Sequence, residues 1–309
     1  MTKVFQSLLA ASCVVSLAAT GCVRKDATPT DEIDRAIPTS DQVSIKLPGQ
    51  ARIVGELAPY YVVTRDVTKT FNGGSAWVLV TIHAIVQYPV TTVHGDTYTW
   101  GPWSGALDPA EYKLDVTANA DGTFDYTLSG RNKTEANSSF EAVINGHADP
   151  TPGELKGSGE FYLDFDAGRR VNPIDSGDAK GSVDVRYDLA ARHLDLHIMS
   201  TDANGAPVAA DYSYNESADG GGDMTFNVQA NIGGTPVLED LTVRSRWLAS
   251  GNGRGDARIS GGDLGTEEAI ASECWNSLFR RVYYTDNVNF APTEGDASQC
   301  AFATVDLPQ

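Results

Sequence analysis

The chain has 309 residues and a formal net charge of −18, from 23 Lys and Arg against 41 Asp and Glu. So acidic a surface repels itself and argues against recognition of nucleic acid, or of anionic lipid head groups, through charge. It leaves cations open as partners, and the length beyond the N-terminal region suits one large β domain, with no Pro-rich break after residue 51 to divide it.

In chain order, the first feature is a basic start at Lys3, an apolar run from Leu8 to Ala19 and small residues at Ala19, Thr20 and Gly21 ahead of Cys22. This is the three-part layout of a secretory signal. The run is too short for a membrane span, which needs about 20 apolar residues, and Ser12 and Ser16 interrupt it. A signal ending small-small-Cys resembles the lipobox of bacterial lipoproteins, in which the cysteine thiol is diacylated and becomes the first mature residue. Ala19 departs from the Leu favoured three positions ahead, and Val23, where inner-membrane retention would call for an acidic residue, implies the outer membrane by that resemblance. The competing reading is a plain secretory signal that ends beside a cysteine.

Residues 23–50 are rich in Pro, Thr, Asp and Ser and show no long apolar period. Such a segment buries too little surface to offset its ordering entropy, so a flexible tether is expected from Cys22 to residue 50. The predicted organisation is a signal over 1–21, a lipidated cysteine with its tether over 22–50, and a single β-rich domain over 51–309.

Residues 73–89, GGSAWVLVTIHAIVQYP, form an apolar run too long for an ordinary strand. Ser75 as N-cap and Pro89 as stop predict a helix over about 75–88, with Trp77, Val80, Ala84 and Tyr88 as its stripe. His83 reads as a satisfied core histidine. In TWGPW (99–103), Trp100 and Trp103 flank a Gly-Pro corner. Together with Trp77 they are the candidate ligand-lining residues, against the plainer reading of rings that cover one end of the sheet.

From residue 111 the apolar period is two. Leu114 and Val116 share a face, as do Phe124, Tyr126 and Leu128, then Phe161, Leu163 and Phe165, then Val183, Val185 and Tyr187. The pattern continues with Leu194, Leu196 and Ile198, with Phe226 and Val228, and with Leu241, Val243 and Trp247. Strict alternation predicts antiparallel sheet with one buried face. NADG (119–122), DANG (202–205), DGGG (219–222), Gly233–Gly234 and GNG (251–253) supply the tight turns between strands. The expected fold is mainly β: an antiparallel meander forming a barrel or half-barrel, with the helix on or inside its concave face.

His193 and His197 fall on the wet face of one strand, about 13 Å apart at roughly 3.3 Å per residue, too far to share one metal ion. The RGD at 254–256 reads as the start of a strand. Residues 273–287, ECWNSLFRRVYYTDN, mix helical and strand signals, and RVYY tips the reading to strand. With Cys13 lost in the leader and Cys22 lipidated, Cys274 and Cys300 remain to pair in an oxidising compartment. That closure is worth roughly 3.5 kcal/mol in the chain-entropy model.

GDTYTWGPWSGALDPAEYKLDV (95–116) and SECW (272–275) resemble a group of uncharacterised lipoproteins from Gram-negative bacteria of the myxobacterial kind. The resemblance spans about residues 75–300. It implies a fold and an envelope address and assigns no activity.

No catalytic motif of the serine-elbow, zinc-helix or phosphate-loop kind is present, and neither a catalytic residue, a metal ligand set nor a cofactor is expected. The functional expectation is a lipid-anchored, non-catalytic module in the cell envelope that binds an apolar small molecule such as a lipid. A structural or protein-interaction role with a filled core, taking an envelope protein as partner, is the alternative. A hydrolase ranks last.

Overall fold

The computed structural model describes residues 29–48 and 57–308, apart from 152, 154–155, 175–179, 202–204, 232–234, 236 and 289–292. The leader, Cys13 and Cys22 lie outside the described residues.

Two helices precede the sheet: α1 (Pro29–Ala36) and α2 (Pro59–Val86). The sheet contains β1 (Thr92–His94), β2 (Thr97–Trp103), β3 (Ala110–Ala118), β4 (Phe124–Asn132), β5 (Glu141–Asp149), β6 (Ser158–Asp164), β7 (Ser182–Asp188) and β8 (His193–Thr201). It continues through β9 (Pro207–Glu216), β10 (Gly222–Ala230), β11 (Glu239–Trp247), β12 (Gly253–Gly261), β13 (Glu268–Trp275), β14 (Arg281–Asp286) and β15 (Glu294–Gly295), with α3 (Phe165–Val171) between β6 and β7. The 15 strands form one sheet in strict sequence order, antiparallel throughout. Each tight turn returns the chain beside the strand just made, which is why a meander results. At Gly122 (φ 87°) and Gly251 (φ 91°) the turns need the left-handed backbone that glycine adopts without steric cost.

A closed barrel is not formed. β1 and β15 are the edges of an open sheet, and each is only two or three residues long, as suits edges that must not recruit another strand.

One row of side chains shows how the buried face is built. Ala148, Gly159, Tyr187, Leu194, Tyr214, Met224, Ser245, Gly255 and Glu273 stand opposite one another from β5 to β13. Large rings along this face are matched to glycines across the strand: Tyr112 to Gly130, Tyr126 to Gly146, Tyr187 to Gly159 and Trp275 to Gly253. A Cβ at any of these glycines would overlap the facing ring. The missing side chain is therefore filled by an aromatic plane, so the close approach leaves no void.

The helix is longer than expected and begins at Pro59, where proline suits the first turn because its missing N–H has no helical partner to lose. Among its described residues the buried positions are Tyr61, Thr64 and Thr68, then Leu79, Ile82 and Val86, each set at the i, i+3, i+7 spacing of a single face. The stripe expected from sequence is corrected: Val80 is 50% exposed and Tyr88 65%, and Ala84 is exposed as well. An apolar run nearly uniform around the helix does not say which side is covered; that depends on where the sheet lies. The Thr64 and Thr68 hydroxyls donate back to the carbonyls of Tyr60 and Thr64, so both can be buried without loss.

Most of the expected tether also proves ordered. Ile33 and Ile37, one helical turn apart, and Val43 and Ile45, at and just after the 40–43 turn, are all buried in the main core with Leu79, Leu114, Tyr126 and Phe161. Asn72 grips the backbone of Ile45 through both its amide atoms, each bond 2.8 Å long. His83 bridges Asp34 (3.2 Å) and the Pro38 carbonyl (3.0 Å), a satisfied histidine that ties α2 to α1. Composition concealed this segment because its four key apolar residues are widely spaced among polar ones.

The strand expected to run through Phe165 stops at Asp164, whose carboxylate accepts from the Ala167 N–H and caps α3. The ambiguous 273–287 stretch resolves into the end of β13, a turn and β14. Cys274 and Cys300 are joined by a disulfide with an S–S distance of 2.09 Å.

Candidate functional site

A cleft of about 410 Å³ opens beside the 41–46 segment, at the end of the sheet where β7 turns into β8. Val43, Leu189 and Leu194 give it apolar wall, Tyr187 and Tyr214 give it rings, and Lys46, Arg192, His193, Asp41, Asp188 and Glu216 give it charge. Each group arrives there for a local reason. Asp188 caps the β7–β8 turn by accepting from the Ala191 N–H, and Arg192 leaves that turn with φ 56°. Pairing of β8 with β9 then sets His193 opposite Asn215 and Leu194 opposite Tyr214. The facing wall is tied to β9 by a bond from the Lys46 N–H to the Tyr214 hydroxyl at 3.1 Å.

The charges are internally matched. Glu216 lies 3.8 Å from Lys46 and 3.6 Å from Arg192, so one carboxylate holds two cations at the rim. His193 contacts Asp195 through Nε2 (2.8 Å) and Asn215 through Nδ1 (2.7 Å). Burial works against its charge, but the bonds to Asp195 and Asn215 outweigh burial and hold its pKa above the ordinary value. The Tyr214 ring stacks on Trp247 at 6.1 Å, and burial pushes its phenol up to about 12. Tyr187 is shifted in the same direction by the same cause. Both phenols are therefore neutral at neutral pH; that of Tyr214 accepts from the Lys46 N–H, and that of Tyr187 is buried without a hydrogen-bond partner among the described residues.

These groups can bind, orient and neutralise. They are not arranged as an activated nucleophile: the Ser44 hydroxyl donates to the Asp41 carbonyl, and both nitrogens of His193 are engaged by Asp195 and Asn215. Among the described residues no group of three or more His, Cys, Asp or Glu is placed to hold a metal ion.

The tryptophans expected to line a ligand site are not brought together here. Trp100 is 2% exposed, packed in the main core, with its indole N–H donating to the Tyr88 carbonyl at 2.9 Å. Trp103 lies two residues beyond the cis Gly101–Pro102 bond, 36% exposed and tilted against Tyr112. Trp77 belongs to α2, and its side chain lies outside the described residues. Of the strand histidines, His197 is on the wet face against Asp211, as its alternation with Leu194 and Leu196 requires. His193 shares that strand but reaches the cleft from its end. The signal that could have found the cleft was present in part. Val43, Ile45 and Leu47 alternate inside the supposed tether, and Asp188 to His193 form a charged turn between two clean strands.

A second polar cluster has the look of a site and a different role. Glu273, fully buried, accepts from the Tyr60 N–H at 2.9 Å and from Arg281 at 2.8 Å. Burial raises its pKa against the opposing pull of those two bonds. Because Ala58 offers α2 no side-chain cap, the carboxylate from β13 satisfies a first-turn N–H in its place. Both its oxygens are committed to structure.

In the RGD stretch, Arg254 is 3% exposed and Asp256 fully buried on β12, so neither is presented to a receptor. No family model, no curated protein and no solved structure matches the chain.

Proposed function

We propose that the protein is a lipid-anchored, non-catalytic binding module of the cell envelope whose ligand is an amphiphile such as a lipid, held in the cleft between the 41–46 segment and the β7–β9 end of the sheet. The observation that carries this reading is the cleft itself. At about 410 Å³ it falls within the size range of small-molecule sites, and it pairs ring and aliphatic surface with two cations clamped by one carboxylate. An apolar portion would lie against Tyr187, Leu189 and Tyr214, and an anionic or zwitterionic head would exchange Glu216 for itself on Lys46 and Arg192. In this reading the open sheet is a half-barrel curled around α2 by its ring-on-glycine pairs, and Cys22 carries the acyl chains that hold the mature protein at the outer membrane. No described helix is long and apolar enough to cross a membrane, so attachment through acyl chains is the route this reading uses.

Mass spectrometry of the full-length protein, purified from membranes and extracted with organic solvent, tests it. A co-purifying amphiphile should be present with the wild type and absent from the Lys46→Glu/Arg192→Glu double variant. An identical extract from both, or no bound molecule in either, would reject the cleft as the site.

The alternative, a structural or interaction protein, is favoured by one observation: Leu79, Ile82 and Val86 of α2 share a single packed cluster with the strands, so the space between helix and sheet is occupied along that stretch. Crosslinking in intact envelopes, followed by identification of a stoichiometric partner, would favour it.

A further inference from the structure

The outer faces of β11 and β12, opposite the face that meets α2, carry Arg244, Arg246, Arg254 and Arg258. In a chain of net charge −18, this concentration of guanidinium groups on two adjacent strands calls for an explanation. They grip residues 302–308, a segment with no regular secondary structure. Arg254 donates to the carbonyls of Phe302 (3.2 Å) and Ala303 (3.4 Å), Arg246 to that of Thr304 (2.6 Å) and Arg258 to that of Pro308 (2.8 Å). Asp306 meets both Arg244 and Arg246 at 3.4 Å, and the Phe302 ring lies 5.0 Å from the Arg246 guanidinium.

Three features separate this from ordinary packing of an irregular segment. None of residues 301–308 is buried, so the segment contributes little apolar burial and is held by charge-assisted bonds and one cation–π contact. Its floor has a bonding network of its own: Asp256 accepts from Arg254 (2.8 Å), Arg246 (3.0 Å) and Ser272 (2.6 Å), and the segment adds to it one N–H, that of Asp306, at 3.3 Å. The grip is also mostly to main-chain carbonyls, with side-chain selection limited to an aromatic at 302 and a carboxylate at 306.

We propose that this outer face is a peptide-binding groove for an extended, acidic segment of a partner protein, and that residues 302–308 fill it as a displaceable internal ligand, tethered at their start by the Cys274–Cys300 disulfide. The partner segment carries an aromatic residue followed four positions later by a carboxylate. Tethering raises the local concentration of the internal ligand, so a free peptide competes poorly until the strap is weakened.

The test uses fluorescence anisotropy with a labelled synthetic peptide of residues 301–308 and the full-length chain. A Cys300→Ser/Asp306→Arg variant should bind the peptide at least about tenfold more tightly than the wild type does, and Asp→Asn in the peptide should cost about tenfold again. Added salt should weaken the binding. A variant that unfolds as cooperatively as the wild type and ignores the peptide overturns the proposal, and so does equal binding by wild type and variant. If the double variant does not fold, Asp306→Asn with the disulfide intact takes its place, with the same outcomes deciding.

Discussion

Strands β3 to β8 and strands β11 to β14 obey the same antiparallel geometry and are stabilised by different physics. In the first region one face is apolar and buried: Leu114, Val116, Leu128, Phe161, Leu163, Val185, Leu194 and Leu196 belong to one cluster, while the opposite face carries exposed pairs such as His147 with Asp125. In the second region both faces are covered, by α2 on one side and by residues 302–308 on the other. Accordingly it buries charged groups, Arg254, Asp256 and Glu273, along with Ser245 and Ser272, where the polar residues buried among the described part of the first are the neutral Ser129 and Asn132. The charged groups buried there are held by partners in the protein: Asp256 by Arg246, Arg254 and Ser272, and Glu273 by the Tyr60 N–H and Arg281. The lesson is that one-sided apolar alternation identifies a strand with one covered face, and that it fades where both faces are covered and polar networks take over.

The largest effect that would break this comparison is expected at Asp256. Replacing it with Ala strands Arg254 and Arg246 without their shared carboxylate, and urea unfolding should show a loss of about 3–5 kcal/mol. The nearly isosteric Asp256→Asn should approach that loss, because shape is kept and charge is not. In the apolar region, Leu114→Ala should cost about 2–5 kcal/mol, but Leu114→Met less than about 1.5 kcal/mol. Tolerance of a shape-preserving change at Leu114 and intolerance at Asp256 is the contrast to be measured; equal penalties for Leu114→Met and Asp256→Asn would dissolve it.

Glu273→Gln tests the cap that joins the two layers of the second region. Glutamine keeps an acceptor for the Tyr60 N–H and loses the ion pair with Arg281, so a loss of about 1–2 kcal/mol is expected. Hydrogen exchange should rise in the first turn of α2 before it rises elsewhere. An unchanged first turn would mean that the cap is supplied by another group.

The smallest effect is a pH dependence at His193, on the wet side of the first region. Its folded pKa lies above its ordinary 6.5, so its contribution is fully present below that value and is lost as pH rises through the folded pKa. NMR titration of the imidazole should show the raised pKa, and Asp195→Asn should lower it. Stability of the wild type relative to Asp195→Asn should shrink across the same interval; a flat difference would show that Asp195 is not what raises the pKa.

Much of the architecture was legible in the residues. The strands with clean alternation appear where the period-two pattern lies, and the glycine-bearing turns at 119–122, 219–222 and 251–253 join neighbours as hairpin chemistry demands. β5 escaped because Gly146 interrupts its apolar face between Ile144 and Ala148; that gap is filled by the Tyr126 ring from the adjacent strand. β13 was ambiguous because buried Ser272 and Glu273 look polar until their partners on β12 and α2 are in place. The cleft was not legible, since its walls come from residues 41–46, 187–194 and 214–216, which only folding brings together.

By itself the sequence determined the class and order of the sheet, the pairing of Cys274 with Cys300 and the presence of a helix ahead of the strands, because each follows from local periodicity, turn chemistry or cysteine count. Tertiary structure alone decided which side of α2 is buried, that residues 33–45 join the core, that the sheet stays open, and that a carboxylate on β13 caps a helix more than two hundred residues earlier in the chain. These outcomes depend on contacts between distant segments, where the free energy of burial is settled by what lies opposite a residue in space, and the neighbours of a residue along the chain do not carry that information.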